Sequence, residues 1–94
     1  MAEKITKELK LLNKYGMHVR PAGLFAKTAS RYDAEITVEK DGNIVSGKSI
    51  MALMTLEALA GTVLKVSAEG PEAQQALDDL ESLVARRFDI PDEL

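Results

Sequence analysis

The chain has 94 residues, a formal net charge of −3, 46% hydrophobic and 29% charged residues, and no cysteine. That length suits one domain, 1–94, around a single core that buries about two-thirds of the unfolded chain's surface, and the ordinary composition excludes disordered, fibrous and repeat classes. Without cysteine there are no disulfides or thiolate metal sites, and an acidic balance with 4% aromatic residues excludes a nucleic-acid surface.

Met1–Leu12 carries charges throughout and lacks the apolar run of a secretory signal. Ser49–Leu64, the least charged segment, is broken by Glu57 and falls short of the roughly 20 apolar residues that span a bilayer. A cytoplasmic protein without membrane contact is expected. One histidine and scattered carboxylates have no zinc-site spacing, so neither metal nor cofactor is expected.

Ile5–Leu12 alternates apolar and polar residues, with Ile5, Leu9 and Leu11 on one face, which predicts a half-buried strand. Asn13–Gly16 has turn composition and delivers His18. From Pro21 onward, Ala22, Phe25, Ala26, Ala29 and Tyr32 fall on one helical stripe. Proline suits a helix's first turn because its missing N–H loses no internal hydrogen bond there. His18 is thereby expected at the N-terminal mouth of that helix.

Ala34–Lys40 alternates again and runs into Asp41-Gly42, a two-residue hairpin signal because both turn positions need φ > 0. That turn predicts Lys40 opposite Asn43 and Val38 opposite Val45, with Ile36, Val38 and Val45 on the inner face. Ser49 is the expected N-cap of a helix of about two turns over Ile50–Met54. Thr62–Ala68 predicts the last strand, and Gly70-Pro71-Glu72 opens the last helix. On that helix Ala73, Ala76, Leu77, Leu80, Val84 and Phe88 form the stripe, Glu72 sits in the first turn, and Arg86 and Arg87 in the last. Residues 88–94 read as a short acidic tail.

The order βαββαβα predicts an α+β fold, a two-layer open-faced β-sandwich with a four-stranded antiparallel sheet and three helices on one face. The ferredoxin-like arrangement shares its first six elements, and pattern alone leaves the strand order open.

The candidate chemistry lies in Gly16-Met17-His18-Val19-Arg20-Pro21-Ala22, which holds the chain's only histidine. A neutral imidazole nitrogen is a nucleophile able to carry a covalent intermediate. Backbone N–H groups at a helix N-terminus attract anions, and a guanidinium adds charge-assisted hydrogen bonds worth roughly 1.5–3 kcal/mol each. On these grounds His18 and Arg20 form an anion-ready nucleophile. Pro21 serves equally well as a simple helix starter.

That heptapeptide, together with Lys48-Ser49-Ile50-Met51 beyond a helix and a hairpin, closely resembles the HPr family, the histidine-containing phosphocarriers of the bacterial phosphoenolpyruvate-dependent sugar phosphotransferase system. The resemblance covers nearly the whole chain. It implies that His18 accepts a phosphoryl group from phosphorylated enzyme I and passes it to enzyme IIA proteins, with Arg20 stabilising it, as a transfer intermediate and not a turnover enzyme. It implies that Ser49 is the target of a regulatory serine kinase/phosphorylase, and that Val19, Ile50, Met51 and Met54 form an apolar docking patch beside the basic Lys27. A monomer is expected. The alternatives are a regulatory branch, nitrogen-type or Ser49-phosphorylated, that controls a transcription factor or other partner without feeding sugar uptake, and a phosphate-independent interaction module. Val19 and Ser30 depart from residues common in the family, and the segment after Arg87 is longer and more acidic than in its short members.

Overall fold

The computed structural model describes residues 4–93. Its elements are β1 (Lys4–Lys10), α1 (Val19–Ala29), β2 (Glu35–Lys40), β3 (Asn43–Ser46), α2 (Ile50–Met54), β4 (Val63–Glu69) and α3 (Ala73–Ala85), followed by two 3-10 turns at Arg87–Asp89 and Pro91–Glu93. The strands form one antiparallel sheet in the order β1-β4-β2-β3. β4 therefore lies inside the sheet, between β1 and β2. It pairs with β1 from Lys4↔Glu69 to Lys10↔Val63 and with β2 from Glu35↔Glu69 to Glu39↔Lys65, which settles the strand order that pattern leaves open.

The hairpin has the register that its turn dictates. Asp41 and Gly42 both take positive φ, 51° and 84°, and Lys40↔Asn43 and Val38↔Val45 are paired. Alternation then puts Ile36, Val38, Leu64, Val66 and Ala68 on the inner face, where they meet Ala22, Phe25, Ala26 and Ala29 of α1 and Ala76, Leu77 and Leu80 of α3. α2 contributes only Leu53 to this core from its helical residues. Each large apolar side chain so buried contributes about 1.5–3 kcal/mol, so α1 and α3 are held by packing, whereas the one-anchor α2 leans on its cap. The outer sheet face is polar except at Ile44 and Val63 and includes a hydrogen bond between the Thr6 and Ser67 hydroxyls at 2.9 Å.

Several boundaries differ from expectation for local reasons. β1 stops at Lys10, because Leu11 exchanges backbone hydrogen bonds with Thr62 and Gly61 of the loop before β4. α1 begins at Val19, two residues before Pro21, and ends at Ala29. Tyr32 lies beyond the helix and its hydroxyl donates to Asp79 at 2.6 Å. α2 has only five residues. Glu72 is the N-cap position of α3, but its carboxylate accepts the Asp33 N–H at 2.7 Å in place of capping the helix. Arg86 is the C-cap and Arg87 lies past it, so the charges expected inside the end turns flank α3.

The larger difference lies at residues 88–94. Phe88 and Ile90 are each 2% exposed and belong to the core, so the segment is acidic at Asp89 and Asp92 but anchored by its apolar residues. Phe88 reaches that core by a reversed path, not on the stripe of α3. Arg87, Phe88 and Asp89 take φ of 53°, 59° and 55°, and the turn is closed by Arg86 Nε donating to Asp89 at 2.9 Å. Leu94 lies outside the described residues.

Candidate functional site

His18 is the N-cap of α1, with extended backbone (φ −86°, ψ −171°), and its carbonyl accepts the Ala22 N–H at 2.9 Å. Its side chain makes no cap hydrogen bond. A helix leaves its first N–H groups without intrahelical partners, and Pro21, at the third helical position, has no N–H at all. The donors that remain at this mouth belong to Val19 and Arg20. Arg20 is exposed one residue beyond Val19, and His18 is half-buried.

That loop is tightly determined. Asn13 is fully buried, and its Nδ2 donates to the Gly16 carbonyl at 2.7 Å while the Gly16 N–H returns to the Asn13 carbonyl at 3.3 Å. Gly16 has φ +68°, and a Cβ there would lie 2.2 Å from the Ala58 carbonyl oxygen. Only glycine fits this approach. It lets the Met17 N–H reach Ala58 at 2.8 Å and bury the Met17 side chain, so that His18 emerges from a fixed base. The segment around Ala58 is itself tied to the end of β2, where Lys40 Nζ donates to the Leu56 carbonyl at 3.0 Å.

α2 packs beside α1: the Ile50 Cδ1 lies 3.9 Å from where a Cβ on Gly23 would be. Ser49 is the N-cap of α2 as expected, its hydroxyl accepting the Ala52 N–H at 3.2 Å. Val19 (60%), Met51 (80%), Ile50 and Met54 are exposed, so none of the expected patch residues is spent on the core, and Lys27 is exposed on α1. The expected site residues thus fall on the adjacent helices α1 and α2.

Two further residues adjoin this end of the molecule. Leu59 is 71% exposed on the segment against which Gly16 packs. Tyr15 stands with its ring edge-on to the His18 ring, centroids 6.2 Å apart. Turn composition accounted for Tyr15 in the sequence, although one of only two tyrosines placed three residues before the only histidine was the available signal. Among the described residues no group of His, Cys, Asp or Glu is placed to hold a metal ion, and no helix is long and apolar enough to cross a membrane.

A family model described as the PTS HPr component phosphorylation site matches residues 5–86. The chain belongs to the HPr family. The HPr phosphocarrier of Vibrio cholerae is 42% identical over 78 residues, covering 83% of this chain and 92% of that protein. That of Borreliella burgdorferi is 48% identical over 69 residues, 73% of this chain and 80% of that protein. The crystal structure of HPr from Bacillus anthracis matches with a TM-score of 0.83 and 38% identity, over 86% of this chain and 96% of that one. As an HPr, the chain is a phosphocarrier of the phosphotransferase system and works with the enzymes of that system. The 3-10 segment from Arg87 onward lies outside the stretch that the family model matches.

Proposed function

We propose that His18 is the residue that carries the phosphoryl group, received from phosphorylated enzyme I and delivered to enzyme IIA proteins for sugar uptake. The observation that carries this reading is the N-terminus of α1, where half-buried His18 is the N-cap residue and exposed Arg20 the second helical residue, at a helix end that favours anions. A lone pair of the neutral imidazole forms the N–P bond as the donor's bond to phosphorus breaks, and no water is consumed. Arg20 donates to the phosphoryl oxygens and so lowers the energy of the charge-rich transition state. Stabilisation of the resting phosphohistidine stays moderate, because a group held too tightly is not passed on.

Val19, Ile50, Met51 and Met54 form the docking patch, with Lys27 as a basic neighbour for acidic partner surfaces. Methionine side chains adapt to several partners, which suits a carrier that meets many. Ser49 is the regulatory phosphorylation site: a phosphate there adds a charge of about −2 at the edge of the patch and weakens docking. The protein acts as a monomer in the cytoplasm.

Incubation with phosphoenolpyruvate and enzyme I tests the assignment. The wild type should gain acid-labile, base-stable phosphate and His18→Ala none; equal incorporation in both overturns it. Arg20→Ala should remain folded and transfer about ten- to a hundredfold more slowly, the rate equivalent of one charge-assisted hydrogen bond.

A further inference from the structure

We propose that Tyr15 is a positioning residue for the His18 ring. This rests on the reading of His18 as the phosphoryl carrier. Phosphoryl transfer requires a ring nitrogen in line with phosphorus, so a contact that favours one orientation of the His18 ring bears directly on the transfer. The Tyr15 ring meets it at an interplanar angle of 80° and a centroid distance of 6.2 Å, the T-shaped geometry that the positive edge and negative face of aromatic rings favour. Rotation of the imidazole about its bond to Cβ breaks that contact, so the contact itself favours one orientation of the ring plane.

Tyr15 is itself held from both sides. Its backbone lies inside the Asn13–Gly16 turn, which the buried Asn13 amide closes through Gly16, and the Lys14 ammonium sits 5.2 Å from the centre of its ring. The other three aromatic side chains lie elsewhere: Phe25 and Phe88 are in the core, and Tyr32 bonds Asp79. Tyr15 is the one that is 56% exposed.

Three variants separate ring positioning from docking. Tyr15→Phe keeps the ring, Tyr15→Leu keeps bulk without a ring face, and Tyr15→Ala removes both. In the unphosphorylated protein, the His18 ring-proton resonances should shift together in Tyr15→Leu and Tyr15→Ala, by loss of the tyrosine ring current, and remain in place in Tyr15→Phe. With phospho-enzyme I as donor, Tyr15→Ala should lower kcat about two- to tenfold, the span that one edge-on aromatic pair is worth, at unchanged KM, and Tyr15→Phe should restore it. A rise in KM at constant kcat makes Tyr15 a docking residue and overturns the proposal, as do unshifted His18 resonances in Tyr15→Ala. Because the resonances are read without phosphate, they judge Tyr15 even if the wild type proves to take no phosphoryl group, an outcome that would instead refute the carrier reading of His18.

Discussion

The two helices at the site begin in opposite ways. α2 starts with Ser49, whose hydroxyl accepts the Ala52 N–H at 3.2 Å and whose carbonyl accepts the Leu53 N–H at 3.0 Å. α1 starts with His18, whose side chain caps nothing, and replaces one of its early donors with the ring of Pro21. A capping side chain is worth about 1 kcal/mol, which a five-residue helix with one core anchor needs and an eleven-residue helix packed on the sheet can forgo. The longer helix therefore has stability to spare at its N-terminus, and that is the terminus where a histidine stands in the cap position.

Exchanging the residue types is the strongest way to break this contrast. His18→Ser should abolish acid-labile phosphorylation and raise stability by no more than about 1 kcal/mol, because only the Arg20 N–H is left to cap where Pro21 has none, read from the urea midpoint at constant m. Lost phosphorylation with no stability gain would mean that the mouth of α1 has no unused capping capacity. Gly16→Ala comes next, since its Cβ would meet the Ala58 carbonyl in a left-handed backbone. It should cost about 1–3 kcal/mol and slow transfer as well, because the displaced strut carries His18. Ser49→Ala is the mirror experiment: it should cost about 1 kcal/mol while leaving transfer from enzyme I near the wild-type rate. Ser49→Asp keeps a capping oxygen and adds charge, so it should preserve stability and weaken enzyme I binding by titration calorimetry.

The features that could be inferred before the structure were those governed by local chemistry. Asp41-Gly42 has the two positive φ values of its turn, and that alone sets the pairing of Val38 with Val45. Ser49 before Ile50–Met54 was recognisable as a cap for the same reason. The start of α1 was not, because exposed Val19 and Arg20 add nothing to an apolar stripe. Insertion of β4 between β1 and β2 depends on long-range pairing, which alternation cannot encode. Periodicity identified Phe88 as a core residue but could not show the left-handed turn that takes it there. Asn13 was hidden by its company, since turn composition suggests an exposed loop and the structure buries its amide to brace the histidine.

The far end of α1 supplies the smallest and most specific test of the contrast. There the chain is tied down instead of left open. The Tyr32 hydroxyl donates to Asp79 of α3, Lys48 Nζ donates to the Tyr32 carbonyl at 3.1 Å, and Asp33 and Glu72 exchange two hydrogen bonds. The bond to Asp79 raises the Tyr32 hydroxyl above its usual pKa, with burial and the carboxylate's charge acting in the same direction. A group whose folded value is raised contributes stability that is fully present below its unfolded value, about 10 for tyrosine, and lost as pH climbs through the higher folded value. The wild type should therefore exceed Tyr32→Phe in urea midpoint by a constant margin from about pH 7 to pH 9, and that margin should shrink above about pH 10. A margin that persists unchanged into strong alkali would show that the Tyr32–Asp79 bond does not tether α3 to the end of α1. His18→Ser should leave this alkaline loss untouched, because the opposite ends of α1 are held by separate contacts.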